Sequence, residues 1–147
     1  MKPSTESLEL SSCLCDSLRQ TTRVVTRMYD DALRPVGIRI TQYCVLSYLA
    51  VNGEARVRDL GTGLFLEETT LTRSLRPLEE QGWVQSRPGK DRRERYLSLT
   101  REGQKLLVKA LPLWKGVQER LRERISTTTW NVLAHSLPKV ANAAHAP

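Results

Sequence analysis

Between Glu67 and Thr100 the hydrophobic period changes twice, and few folds accommodate that. Leu71, Leu75 and Leu78 recur at helical spacing over Glu67–Gln81, and Gly82 stands just past them as a helix-ending residue. Then Trp83–Ser86 and Arg95–Leu99 alternate like short strands around Arg87–Arg93, where Pro88-Gly89 marks a turn. The connection between them pairs them as an antiparallel hairpin with a basic tip. Thr100, with Glu102 behind it, then reads as the N-cap of a new helix. The chain here must fold as helix, hairpin, helix. Pro77 violates the first of these patterns, so that helix either kinks or does not need the lost donor.

Helical patterns extend on both sides. From Leu8 to Leu33, Leu14, Leu18, Val25, Met28, Tyr29 and Ala32 form one stripe, ended by Pro35 and Gly37. Thr41–Leu49 follows, with Thr41 as N-cap, Cys44, Val45, Leu46, Tyr48 and Leu49 as the buried set, and Asn52-Gly53 as the stop. A short helix over Arg56–Leu64 carries Gly61 and Gly63, each costing about 1 kcal/mol against Ala inside a helix. After Thr100, Leu107, Ala110, Trp114, Val117, Leu121 and Ile125 keep helical spacing despite Pro112. Ser126–Thr129 caps a last helix bearing Trp130, Leu133, Leu137 and Ala141. The expected fold is mainly α with a small β-hairpin wing. A winged helix-turn-helix over residues 38–100 lies within a single domain of 1–147, flanked by helical dimerisation parts at 1–37 and 101–147.

Composition narrows the function. The 147 residues hold 23 Lys+Arg against 16 Asp+Glu, a net charge of +7, with 39% hydrophobic residues, enough for a core. The apolar runs are too short for a membrane span, and the N-terminal stretch has no signal-like apolar core. The expectation is therefore a cytoplasmic protein, held at the nucleoid through DNA, with no membrane partner. Three cysteines, Cys13, Cys15 and Cys44, are too few and too poorly spaced for zinc and read as reduced, with Cys13 and Cys44 read as buried small hydrophobes. No metal or cofactor is expected. There is no phosphate-cradling loop, no nucleophile elbow, and no histidine in the central unit (His135 and His145 are near the C-terminus), which argues against an enzyme.

The charges are placed for a duplex. Arg87–Arg95 has a net charge of +3, from Arg87, Lys90, Arg92, Arg93 and Arg95 against Asp91 and Glu94, at a tip that can enter a narrow groove. Thr69, Thr70, Thr72, Arg73 and Arg76 lie on the helix face opposite Leu71, Leu75 and Leu78, and hydroxyls and guanidiniums bond phosphates and purine edges. Net charge alone would also fit a non-specific architectural DNA binder; a threonine and arginine face favours base reading.

These residues carry a family resemblance over nearly the whole chain. Asp91-Arg92-Arg93, then Leu97-Ser98-Leu99-Thr100-Arg101-Glu102-Gly103, with Thr69–Arg73, Leu78-Glu79 and Gly82, resembles the MarR (multiple antibiotic resistance regulator) family of winged-helix repressors. The resemblance implies a homodimer on a pseudo-palindromic double-stranded operator, with the Thr69–Arg76 helices in successive major grooves. Arg93 would reach the minor groove, and Asp91 would hold the wing's arginines. Two features depart from the pattern: Glu67 and Glu68 open the recognition helix with carboxylates, and Gly61 and Gly63 loosen the helix before it.

Members of this family respond to effectors, and two kinds fit. A small anionic or aromatic ligand would occupy a pocket among Tyr29, Tyr43, Cys44, Tyr48 and Trp114, with Arg23 or Arg27 pairing its carboxylate. Alternatively, Cys15 and Tyr29 resemble the peroxidatic cysteine and its tyrosine in the branch that senses organic hydroperoxides, although Arg19 and Ile40 stand where that branch has further tyrosines.

Overall fold

The computed structural model describes residues 13–91 and 93–146. The expected helix start at Leu8 and the wing residue Arg92 lie outside them. Helix α1 (Leu14–Leu33) ends as expected before Pro35, which opens a single 3-10 turn, Arg34–Val36. Gly37, at φ +74°, then reverses the chain. Helix α2 (Ile40–Asn52) starts before the expected cap. Thr41 lies inside the helix because its first donors are met from elsewhere: Asp30 of α1 accepts from the Ile40 N–H at 2.7 Å, and Gln42 accepts from the Arg39 N–H at 2.9 Å.

A two-residue strand, β1 (Ala55–Arg56), takes the first residue of the expected third helix, leaving α3 as Val57–Gly63, one residue shorter at each end. Its glycines are steric requirements, not slack. A Cβ on Gly63 would sit 2.4 Å from the Tyr48 ring, and one on Gly61 would lie 3.0 Å from the Leu66 carbonyl oxygen. Helix α4 (Glu68–Glu80) follows and buries Leu71, Leu75 and Leu78 completely. Removing each from water contributes about 2–3 kcal/mol, which anchors the helix by one face and leaves the other to solvent. Pro77 does not break it. The proline is exposed, so the Arg73 carbonyl that loses its donor can bond water.

The hairpin consists of β2 (Val84–Pro88) and β3 (Arg95–Leu99), registered from Val84 opposite Leu99 to Pro88 opposite Arg95. Strand β2 begins one residue later and ends two residues further than its alternation indicates, since Arg87 and Pro88 still pair with β3. The sheet order is β1-β3-β2, all antiparallel.

Helix α5 (Arg101–Ile125) is capped as expected: the Thr100 hydroxyl accepts from the Gly103 N–H at 3.0 Å and donates to the Gly82 carbonyl at 2.6 Å. Gly103 is needed there, because a Cβ would lie 2.1 Å from the Trp83 carbonyl oxygen. The end of α4, the start of the wing and the first turn of α5 therefore meet at one point. Helix α6 (Thr127–His145) is capped by Ser126, which accepts from the Thr129 N–H.

Leu33, Leu46, Leu49, Leu60, Leu75 and Leu97 are among the fully or nearly fully buried residues of one core beneath the wing and α4. The outer helices differ. Of the expected α1 stripe only Tyr29 is buried, and α6 buries nothing. Leu14, Val24, Val132, Leu133 and Leu137 stay exposed because no described element of this chain covers them.

Candidate nucleic-acid interface

The outer face of α4 presents Thr69, Thr70, Thr72, Arg73 and Arg76, all exposed. Their readiness differs. The Thr72 hydroxyl donates to the Glu68 carbonyl at 2.8 Å, so its lone pairs face outward as acceptors. The Arg76 Nε bonds Glu80 at 2.7 Å, whereas Arg73 has no carboxylate partner among the described residues.

The wing's cations divide into two groups. Arg87 is clamped to the residue before β1: its Nε donates to Glu54 at 2.7 Å, a second nitrogen meets the other carboxylate oxygen, and the guanidinium lies 4.5 Å over the Tyr96 ring. These bonds hold the Glu54 carboxyl below its ordinary value and raise that of Arg87. Arg95 pairs with Glu79 near the end of α4, tying wing to recognition helix. Both guanidiniums are thus engaged inside the chain, while the Arg87 and Arg95 side chains stay 56% and 38% exposed. Lys90 and Arg93 are exposed with no carboxylate partner among the described residues. Among the described residues, Asp91 holds the tip by hydrogen bonds to backbone N–H groups. Its carboxylate accepts from the Arg93 N–H at 3.0 Å, and its carbonyl accepts from the Glu94 N–H at 2.9 Å.

Wing and helix enclose a cleft of about 1080 Å³, lined by Arg58 and Thr62 of α3, Glu67, Glu68 and Thr72 at the start of α4, and Asp91, Arg93 and Arg95 of the wing. It brings Thr72 and Arg93, 21 positions apart in the chain, to a single concave surface. Arg58 and Thr62 escaped the sequence reading because α3 is too short to show a polar face. The two glutamates do border the cleft, beside the positive end of the α4 dipole.

Burial by itself would raise the Glu79 carboxyl, but hydrogen bonds with Arg95 and Ser86 outweigh it and hold it below its ordinary value. A depressed folded value means the contribution is complete above the unfolded pKa and is lost as pH falls through the folded one. Glu79→Gln should therefore lower stability near neutrality and flatten the loss of stability below about pH 4.5. Urea melts across pH check it; parallel curves for the two proteins would contradict it.

The effector candidates lie in different places among the described residues. Tyr43 stacks on Trp114, ring centroids 5.7 Å apart, and Tyr29 and Tyr43 are buried in the interior of the α1–α2–α5 junction. Burial first, and the nearby Cys44 second, raise the Tyr29 pKa; burial also raises Cys44. Tyr48 lies apart, its hydroxyl donating to the Asp59 carbonyl at 3.3 Å against α3. Arg23 and Arg27 line a separate crevice.

Cys13, Cys15 and Cys44 are all free and exposed, which corrects the expectation of buried small hydrophobes. Cys44 combines an exposed edge with a thiol set against the helices, which accounts for its shift. Cys15 and Tyr29 share one helix, and at about 1.5 Å rise per residue they stand ~21 Å apart. The chain's own Tyr29 is thus out of reach of Cys15.

Known proteins share this architecture. Residues 36–94 match the sequence profile of the MarR family. The organic hydroperoxide resistance transcriptional regulator of Bacillus subtilis is 31% identical over 109 residues, 74% of each chain. An uncharacterized HTH-type transcriptional regulator of the same species, YwoH, is 35% identical over 92 residues, 63% of this chain and 67% of its own. The transcriptional regulator MosR of M. tuberculosis, solved in complex with DNA, superposes with a TM-score of 0.79 at 32% identity, covering 91% of this chain and 99% of that one. Recognition helix, wing and these relatives agree: the chain belongs to the MarR family of winged-helix DNA-binding transcriptional regulators.

Proposed function

We propose that the protein is a sequence-specific repressor that binds a pseudo-palindromic duplex operator as a homodimer and is released by a small effector. One observation supports the reading: Arg87 and Arg95 brace the hairpin, while Lys90 and Arg93 have no carboxylate partner among the described residues and Arg93 lines one cleft with Thr72. A non-specific binder needs only charge, whereas this arrangement commits Arg95 to fixing the wing relative to the recognition helix and Arg87 to fixing it against Glu54 before β1. The uncovered apolar residues of α1 and α6 support pairing with a second chain, as symmetric operators require.

The test is a pair of variants, titrated on DNA from upstream of the protein's own gene. Arg93→Ala should weaken binding on every sequence and reduce the log–log salt slope by ~1 per chain. Arg73→Ala should mainly remove discrimination, about 1–3 kcal/mol at one base pair per half-site. Equal losses on operator and random duplex for Arg73→Ala would contradict base reading, as would failure to outcompete random duplex by roughly 10³-fold.

A second reading is favoured by the exposed Cys15 thiol together with the relative named for organic hydroperoxide resistance. The Cys15 thiolate would attack the hydroperoxide's outer oxygen, giving a sulfenic acid and, after one proton is taken up, the alcohol. Peroxide should then release wild-type protein from DNA and leave Cys15→Ser bound, read by fluorescence anisotropy. Release of both proteins alike would exclude Cys15 as the sensor.

A further inference from the structure

The α1–α2 junction holds a cluster of cations that DNA reading does not use. Arg23, Thr26, Arg27 and Asp30 lie at helical spacing on one face of α1, and the turn at Gly37 folds Arg39 back opposite them. The crevice between has a volume of about 540 Å³, within the range of small-ligand sites. Four arginines border it against two aspartates, and both aspartates are already engaged. Asp31 pairs with Arg34, and the Asp30 carboxylate accepts from the Ile40 N–H at the start of α2. Arg23, Arg27 and Arg39 are exposed and have no carboxylate within ion-pair distance among the described residues. Three guanidiniums around one concavity, none with a carboxylate within ion-pair distance among the described residues, match an anion that carries more than one charged group. Planar bidentate donors suit phosphate and carboxylate oxygens in particular. Nothing apolar apart from Ile38 lines the space, so an aromatic monoacid would find little to stack on.

We propose that this crevice binds a small polyanion, a metabolite with two or more phosphate or carboxylate groups, which bridges α1 to the N-terminal end of α2. Bound there, it clamps the turn between the outer helix and the DNA-reading unit. The regulatory consequence rests on the effector-released reading above; the binding itself does not.

Calorimetry with the full chain, at constant ionic strength and without divalent metal, tests it using inorganic pyrophosphate and citrate as separate probes. One saturable site per chain is expected for at least one probe, and which probe binds tighter separates phosphate from carboxylate chemistry. Arg23→Gln/Arg27→Gln should weaken that binding at least about tenfold, since each guanidinium removed takes a charge-assisted hydrogen bond with it. Arg19→Gln, one turn away on the same helix, should leave it unchanged. The three substitutions in these two variants replace exposed side chains, and circular dichroism is the check that both fold. No saturable binding at millimolar probe, equal affinity in the double variant, or equal competition by sulfate would each overturn the site. If instead the double variant binds probe normally but loses DNA affinity, the arginines bind DNA phosphates and the proposal fails. Anisotropy on DNA without any probe judges the regulator reading separately. A protein that binds DNA but no polyanion sinks only the crevice, and one that binds polyanion but no DNA sinks only the regulator.

Discussion

Ending the chain at Ser126 should leave a monomer that still folds yet binds a full operator at least about 100-fold more weakly than the intact protein. Helix α6 buries none of its residues against its own chain, so its removal costs the monomer core little. What it takes away is a surface: Val132, Leu133 and Leu137 are each more than 40% exposed on that helix. Covering them with a second copy would bring two recognition helices onto one duplex, and the second half-site then binds at high effective concentration. Sedimentation equilibrium reports the association state, and anisotropy on full and half operators reports the rest. A truncated protein that remains dimeric would place the dimer contact elsewhere.

Gly103→Ala should destabilise the protein by about 3 kcal/mol, the upper end of overpacking costs. The added methyl would lie 2.1 Å from the Trp83 carbonyl oxygen, which already accepts from the Thr100 N–H at 3.1 Å. That oxygen belongs to backbone held from two sides and has no rotamer to escape into. Gly116→Ala on the same helix is the control. Its nearest new contact is the tip of the Arg120 side chain at 3.6 Å, and the change should stabilise by about 0.5–1 kcal/mol through helix propensity. Urea midpoints for the two variants should move in opposite directions; matching shifts would refute the steric account. Loss of stability in Gly103→Ala should also weaken DNA binding, because the wing is seated on that contact.

Much of this was legible in the sequence wherever a period ran long enough. The stripe Leu71, Leu75, Leu78 placed α4 and its polar face, and Arg95–Leu99 alternated over the whole of β3. Thr100 and Ser126 announced their helices because a cap is a local event. What escaped was made of distant pairs. Strand β1 has two residues, too few to alternate, and exists only because β3 lies beside it. Arg87 and Arg95 looked like DNA contacts because each sits in a basic run. Their ion-pair partners in the chain, Glu54 and Glu79, are 33 and 16 residues away and leave no periodic trace. The same holds for Gly61 and Gly63, which cost helix propensity locally but admit the close approach of Leu66 and Tyr48. The effector candidates were a set of residue types on helix faces, and only packing could separate a buried aromatic cluster from an arginine crevice.

The contact at Gly103 also has a mechanical side. Helix α5 spans 25 residues, a rod of about 37 Å, and its first turn is locked to the hairpin. A tilt of only about 5° about its far end would carry the hairpin base some ~3 Å sideways, by simple geometry on that length. This is comparable to the spacing of one base-pair step, roughly 3.4 Å. A small change where the outer helices meet would thus be magnified into a misfit of wing and groove, with no need for the DNA-reading unit itself to deform.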